Sequence, residues 1–532
     1  MAFSLDGHGL YHVHTLSIKA AARRQNTTAS PVAAGYSSTF KWPGEAAETC
    51  VVASILAAVA LANLIFFPRK RAGLDVAADR CTDVALAASE RTSSTQGPSH
   101  SSLQAKEVDT RALTGLRGLA ALHVAVGHYS VMSEVGVDLV GGASMSFFYL
   151  LSGFVMTLGY ATPRAAREGV ASGIANVSPG APAEGREIDR KRFWKNRFAR
   201  LYPMYVLTNV MNLALTIYMY FTWDILTMPG VVTSIGLNFV LTLVGLNMWL
   251  YPANVWIEHS PIQLPTNIVS WTVQTMAMFY LVFPALLPWL RSRQRRQVAI
   301  RWLFCLQCAS FMSIVLVGTL WVQNTQWGYW TARGWPLSRL PVFAMGCLAA
   351  VEESARRGQG ADASGGFCCA CRRRCCGNGV SDASEAWGRR ASLLGFAYVV
   401  VVAMATAAKH LLPRLLKSEV GSLASSLIRP CCEALVPLLF VDLILALTRC
   451  GDHGVVARLC RSVVMQKFGD ISMAFYLNHF SILMAMSMLP VGASDSGAAP
   501  LWVAFAAFFL SVLLGWLLTH YFEAPCRKWL RG

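Results

Sequence analysis

Long runs of apolar residues recur along this chain, separated by short polar and charged segments. A membrane-spanning helix needs about 20 predominantly apolar residues, and most of these runs approach that length. The runs cover residues 49–67, 112–131, 143–160, 200–222, 231–250, 269–290, 299–322, 339–353, 391–409, 428–447, 470–490 and 500–522. The pattern predicts an all-α integral membrane protein.

The composition agrees with this class, and the basic residues indicate how the helices are oriented. Apolar residues make up 54% of the 532 positions and charged residues only 14%, a balance that soluble domains of this size do not normally show. The net charge of +17 comes from short basic clusters between the apolar runs. Such clusters are typical of cytosolic loops. The charge therefore indicates topology, and we expect no nucleic-acid partner.

Placing every basic cluster on the cytosolic side limits the number of crossings. If residues 231–250 cross fully, the later clusters fall outside, whereas all fall inside if this run is re-entrant or lies at the outer interface. We therefore predict about ten transmembrane helices in a domain at 111–527 and an N-terminal transmembrane anchor at 49–67. Residues 1–48 would be extracytoplasmic or lumenal, and 68–110 a flexible cytosolic linker.

A cytosolic insert is predicted at residues 354–390, and it contains a compact cysteine and arginine cluster from Cys368 to Cys376. Structural zinc normally requires paired ligands separated by enough chain to wrap the ion. We therefore predict no metal site here and favour S-acylation of the cysteines or no specific role.

His128 is the most informative residue for function. It lies within the apolar run at 112–131, eleven positions after Arg117, which corresponds to roughly 16 Å along a helix. An ionisable side chain inside a membrane helix is costly and predicts a functional site. The alternative is a histidine that only packs between helices.

Five further strings place polar residues in apolar surroundings: FFYLLSGF from Phe147, RFARLYP from Arg197, SWTVQTMAMFY from Ser270, GDISMAFYLNH from Gly469 and YFEAP from Tyr521. In FFYLLSGF, the small Ser-Gly pair favours close helix packing. Taken in this order, together with Arg117 and His128, the strings resemble the acyltransferase-3 family of multi-pass membrane acyltransferases. The resemblance extends from about Arg111 to Arg527.

The resemblance implies an enzyme that moves an acyl group, often acetyl, from cytosolic acyl-CoA to a hydroxyl or amine of a carbohydrate or other small acceptor. Acyl-CoA would be the donor substrate, and no bound cofactor is implied. The catalytic residues would be His128 as general base, Arg117 and His479. Arg117, Arg197 and Arg200 would bind the CoA phosphates. The residues that would bind the acceptor are Trp271, Tyr280, Ser472 and Tyr476.

Several of these roles have alternatives. Arg197 and Arg200 could bind the head groups of membrane lipids, and His479 could be a packing residue. His128 could also carry the acyl group covalently. Aromatic residues of the predicted outer loops are more typical of an interfacial belt than of an acceptor site: Trp256, Trp327, Tyr329, Trp330 and Trp335.

Two positions depart from the family pattern. The family usually has a glutamate five residues after the tryptophan, where this chain has Met276. It often has an acidic residue just before the Phe-Phe pair, where this chain has Met145. Candidate substitutes are Asp442, alone in an apolar run, and Glu258 beside His259. The rival interpretations are therefore a catalytically degenerate relative or a proton-coupled transporter, although no inverted repeat with paired broken helices is seen.

Overall fold

The computed structural model describes residues 108–161, 188–222, 230–256, 264–362, 377–416, 419–488 and 498–531. Within these ranges the regular elements are helices, with one isolated β-bridge between Ser133 and Ala499. Several predictions lie outside the described residues: the N-terminal segment, the anchor at 49–67, nearly all of the linker, the cluster from Cys368 to Cys376, and the Glu258-His259 pair.

In chain order the helices are α1 (Arg111–Met132), α2 (Ala143–Ala161), α3 (Arg190–Thr222), α4 (Val231–Val244), α5 (Asn247–Leu250), α6 (Trp271–Arg291), α7 (Arg296–Leu316), α8 (Thr325–Gly334), α9 (Pro336–Asp362), α10 (Gly377–Leu416), α11 (Glu419–Arg449), α12 (Val455–Arg461), α13 (Val463–Ser487), α14 (Leu501–Leu518) and α15 (Ala524–Arg531). Short 3₁₀ turns occur at Tyr251–Trp256 and Ile268–Ser270, and π-helical turns extend α7 at Val317–Trp321 and α14 at Thr519–Glu523.

Seven helical segments in the described part of the chain are long and apolar enough to cross a membrane, or up to nine if each of two bent pairs is one span. This agrees with a multi-pass membrane protein, and the figure of ten crossings stays a prediction. Neither α1 nor α13, which carry the predicted catalytic residues, is among the seven. Polar side chains needed for a site lower the apolar character of a helix.

The run predicted to be re-entrant or interfacial does not form one straight helix. Gly245 ends α4 with a φ of 79°, a left-handed conformation that glycine adopts without steric cost. The chain then bends by 106° between Val231–Val244 and Asn247–Val255. This geometry is compatible with the predicted placement.

Helices extend into the range predicted as a cytosolic insert, 354–390. Helix α9 continues to Asp362 and α10 begins at Gly377, so both helices extend beyond the apolar runs that predicted them. One reason is that charged residues near the end of α9 are held by ion pairs: Arg356 and Arg357 both contact the carboxylate of Glu353.

Local capping signals position several helix starts. The side chain of Asn324 accepts a hydrogen bond from the backbone N–H of Trp327 at the start of α8, and that of Ser462 accepts one from Met465 at the start of α13. Each satisfies a donor that the first helical turn leaves without a backbone partner.

Glycine allows α1 and α13 to approach each other closely. A Cβ atom on Gly118 would lie 2.9 Å from the backbone nitrogen of Gly469, and one on Gly469 would lie 2.2 Å from the carbonyl oxygen of Thr114. Small residues at such positions let helix backbones pack directly against each other. This contact sets the distance between the two helices that carry the predicted catalytic histidines.

A buried aromatic core fixes the neighbouring helices. Phe147 of α2, Phe279 and Phe283 of α6, and Phe343 of α9 are each 1% exposed or less. Gly153 lies directly against the carbonyl of Phe343, which confirms the packing role predicted for the Ser-Gly pair. The core packs α6 against α2 and α9.

Candidate active site

The two predicted catalytic histidines are brought into direct contact. His128 lies near the end of α1, and its Nδ1 is 2.9 Å from Nε2 of His479 on α13. The two imidazole rings are nearly parallel, with an interplanar angle of 8° and a centroid distance of 5.1 Å. His479 is fully buried, whereas His128 keeps part of its surface exposed.

The partners of His479 define which nitrogen carries each proton. Nδ1 of His479 lies 2.7 Å from the backbone carbonyl of Tyr476, and a carbonyl only accepts, so this nitrogen is the donor. In the neutral ring Nε2 is then an acceptor, and Nδ1 of His128 must donate to it. Nε2 of neutral His128 is therefore left with its lone pair, and it makes no hydrogen bond within the described residues.

Aromatic side chains enclose this pair. Phe480 packs edge-on against His128 with a centroid distance of 5.2 Å, and Phe475 stacks on His479 at 5.9 Å. Tyr129 also packs edge-on against His479, and its hydroxyl donates to Ser511 of α14. The rings limit the rotation of both imidazoles and exclude water from His479.

Arg117 lies on α1 eleven positions before His128, and its side chain is hydrogen-bonded to α13. Its Nη2 donates to the carbonyl of Gly469 at 2.5 Å, and its Nε donates to the hydroxyl of Ser472 at 3.0 Å. Ser472 therefore contacts Arg117, at the opposite end of α1 from the histidine pair. Its predicted role in acceptor binding stays a prediction.

The predicted CoA-binding arginines gather at this same end. Arg117 and Arg200 interact electrostatically, and Arg200 also acts on Arg197. The guanidinium of Arg197 lies over the ring of Tyr280 at 5.9 Å, and its buried Nε has no hydrogen-bond partner within the described residues. Tyr280 thus lies beside the arginines, while its hydroxyl accepts from Ser152.

Sequence reasoning missed two members of this cluster. Arg531 of α15 interacts electrostatically with Arg197 and Arg200, and Arg527 lies beside it. The late Glu-x-Pro string provides Glu523, which interacts with Arg117, Arg200 and Arg527. The available signal was the basic string CRKWLRG after Pro525, which sequence reasoning used only for topology.

The remaining predicted acceptor residues lie between the two ends. The hydroxyl of Tyr476 donates to the backbone carbonyl of Val269 at 3.0 Å. The hydroxyl of Thr272 lies 3.4 Å from the hydroxyl of Tyr476. Trp271 is buried and lies under the guanidinium of Arg333 at 4.9 Å. The Tyr476 hydroxyl therefore links α13 to the start of α6, whereas Trp271 packs against Arg333 of α8.

Asp442, the candidate substitute that lies within the described residues, does not contact the histidine pair. Asp442 is half exposed and forms an ion pair with Arg390 of α10 at 3.1 Å. Met276 packs against the hydrophobic core, and Met145 is buried. The support for His128 is instead His479 together with the backbone carbonyl of Tyr476.

A second buried carboxylate, Glu433 of α11, was also missed. It is fully buried and accepts a hydrogen bond from the hydroxyl of Tyr329 at 2.5 Å and one from Arg339 at 3.0 Å. Its position in an apolar run, beside Cys432, was the signal that could have found it. Tyr329, predicted to lie in an aromatic belt, is buried here.

Asp138, in the loop between α1 and α2, joins the same end of the molecule. Burial opposes its ionisation, but Arg429 and Lys409 hold the pKa of its carboxyl well below its ordinary value. Lys409 hydrogen-bonds it directly, and Arg429 lies 3.4 Å away. Asp138 is therefore ionised at neutral pH and ties the loop to α10 and α11.

Comparison with known proteins adds independent information. A family model described as an acyltransferase domain matches residues 110–520. Acyltransferase MdmB of Streptomyces mycarofaciens is similar to this chain, with 25% identity over 452 residues that cover 79% of the chain and 92% of that protein. No solved structure matches the chain.

Proposed function

The chain belongs to the acyltransferase-3 family of membrane acyltransferases, and from this premise we propose that it transfers an acyl group, acetyl in the simplest case, from cytosolic acyl-CoA to a small acceptor. The acceptor reacts through a hydroxyl or amine, and a carbohydrate is the expected class. The observation that carries the proposal is the 2.9 Å contact between His128 and His479, because it leaves Nε2 of His128 unprotonated.

His128 acts as the general base. The acceptor hydroxyl donates its proton to Nε2 of His128 while its oxygen attacks the thioester carbonyl carbon. The tetrahedral intermediate then collapses, the carbon–sulfur bond breaks, and the proton on Nε2 passes to the leaving CoA sulfur. His479 stabilises the transient imidazolium because its Nε2 accepts from Nδ1 of His128 throughout.

The arginine cluster binds the nucleotide end of CoA. Arg117, Arg197, Arg200 and Arg531 repel one another, and phosphate groups placed among them offset that repulsion. The cluster lies on the predicted cytosolic side. Because Arg117 and His128 are about 16 Å apart along α1, the pantetheine arm can carry the thioester to the histidine.

Steady-state kinetics of the full chain in lipid nanodiscs test both parts of this proposal. With acetyl-CoA as donor, Arg200→Ala is expected to raise KM for the donor by about 10- to 100-fold, the effect of losing one charge-assisted hydrogen bond. His128→Ala is expected to lower kcat by about 100- to 10,000-fold. Arg295→Ala is the matched control, since Arg295 is an exposed arginine outside this cluster.

The outcomes separate the competing functions. A catalytically degenerate relative would show no CoA release in the wild type. A transporter would show substrate flux that is independent of acetyl-CoA. Equal turnover by wild type and a folded His128→Ala variant would remove His128 from the reaction, whether as base or as covalent acyl carrier.

A further inference from the structure

Positive charge exceeds negative charge in a buried network at the predicted outer end of the molecule, which we call the outer charge network. Glu433 and Asp138 are its carboxylates, and four cations contact them: Arg333, Arg339, Arg429 and Lys409. Within the described residues, the four cations of this network outnumber its two carboxylates. Buried charge without a counter-charge is strongly unfavourable.

Arg333 is the least satisfied member of the outer charge network. Its side chain is 4% exposed, and its Nε lies 3.7 Å from Glu433, too far for a hydrogen bond. This buried Nε has no hydrogen-bond partner within the described part of the chain. Instead the guanidinium is surrounded by three aromatic rings at 4.9 to 5.5 Å, those of Trp271, Trp330 and Tyr329.

A similar group of charges at the other end of the helices behaves differently. Glu353 also faces three arginines, but Arg356, Arg357 and Arg449 are 50%, 25% and 12% exposed. Solvent screens that excess. Arg333, at 4% exposure, has no such screening and no hydrogen bond from its Nε to Glu433, so its charge requires a ligand or remains uncompensated.

The outer charge network lies next to the proposed base. His128 interacts electrostatically with Arg333, Arg429 and Asp138, and Tyr476 with Arg333. The side chains of Asp138, Lys409 and Arg429 are 14% to 27% exposed, so the network reaches the surface. Arg333 lies over Trp271, the next residue Thr272 contacts Tyr476, and the ring of Tyr476 lies 5.7 Å from that of His479. An anion bound at Arg333 would therefore lie near the histidine pair.

We propose that the acceptor carries an anionic group, such as a carboxylate, phosphate or sulfate, and that Arg333 binds it. This inference rests on the proposed acyl transfer and specifies the class of acceptor. The guanidinium supplies the hydrogen bonds that the anion needs. The ring of Trp330, which is only partly buried, provides a flat apolar surface on which a sugar ring can stack.

The first experiment identifies the charge of the acceptor without requiring its identity. A solvent extract of the source cells is separated on an anion-exchange column at pH 7 into retained and unretained fractions. Wild-type protein in nanodiscs is then incubated with each fraction and ¹⁴C-acetyl-CoA. We expect labelled product from the retained fraction. Label from the unretained fraction alone overturns the inference but leaves acyl transfer intact, whereas no label from either fraction overturns acyl transfer itself.

The second experiment assigns the anion to Arg333. With the retained fraction as acceptor, Arg333→Gln is expected to raise KM for the acceptor by about 10- to 100-fold and to leave KM for acetyl-CoA unchanged. Arg333→Lys keeps the charge and should recover part of the loss. Arg356→Gln removes an arginine of the Glu353 group and is the control. An unchanged acceptor KM in folded Arg333→Gln overturns the assignment, and the fractionation result stands even if that variant fails to fold.

Discussion

His479→Ala is the sharpest test of how His128 is supported. The substitution removes the acceptor that lies 2.9 Å from Nδ1 of His128. The substitution leaves the Nδ1–H of His128 without a partner in a largely apolar site. It also allows the His128 ring to adopt the other tautomer, which has no lone pair on Nε2. Leaving a buried donor unsatisfied costs about 1 to 3 kcal/mol. At about 1.4 kcal/mol per factor of ten, kcat should fall by about 5- to 150-fold.

A double-mutant cycle distinguishes a positioning role from direct contact with substrate. If His479 acts only through His128, the variant lacking both histidines should be no slower than His128→Ala alone, within a factor of about three. His479→Gln can place an amide oxygen near the position of Nε2 and should recover most of the lost activity. The assay is CoA release from acetyl-CoA in the presence of acceptor.

His123→Gln is the matched control for this cycle. His123 lies on the same helix, but its partners are Ser144 and Tyr398 rather than His479, and we expect little change in kcat. Additive losses in the double variant would mean that His479 acts on the substrate independently. Unchanged kcat in a folded His479→Ala variant would refute the tautomer argument itself.

Three further predictions concern stability and the unused acid. Gly469→Ala should lower the unfolding temperature in detergent, because its Cβ would lie 2.2 Å from a carbonyl oxygen of α1 and such overpacking costs about 1 to 3 kcal/mol. The control Gly236→Ala should leave the unfolding temperature unchanged, because nothing lies within 4 Å of its Cβ. Equal losses in the two variants would contradict the packing argument. The pKa of Asp138 in the folded protein is depressed from 3.8. The stability that ionised Asp138 gives the fold is therefore complete above about pH 5 and declines as pH falls below about 4. Between pH 6 and pH 3, the wild type should accordingly lose more thermal stability than Asp138→Asn. Asp442→Asn should leave kcat/KM within about twofold, because its ion pair is half exposed; a large loss would reinstate Asp442 as a catalytic acid.

The site illustrates how far local patterns carry a prediction. The Arg-x10-His spacing and the string GDISMAFYLNH identified His128 and His479 separately, because each stands out as a polar residue within its own apolar run. Nothing in either string indicates that the two rings touch, since 351 positions separate them. Their contact depends on how closely α1 and α13 pack, which Gly118 and Gly469 permit.

The same limit applies to the search for an acid that would replace the family glutamate. Sequence reasoning looked for a carboxylate to replace the family glutamate at Met276, and Asp442 was the obvious candidate in an apolar run. The structure gives Asp442 an arginine partner and gives His128 a second histidine. A side chain's partner depends on which helix faces it, and that information is not contained in hydropathy.

The sequence by itself determined the helical class, the presence of membrane-length apolar segments, the clustering of basic residues between them and the family resemblance. These follow from interactions between near neighbours in the chain, which repeat with the period of a helix. Only the tertiary structure decided that α15 brings Arg531 to Arg200, that Arg333 lies among aromatic rings beside Glu433, and that His479 orients His128. Those contacts join residues that are distant in the chain, and packing alone selects them.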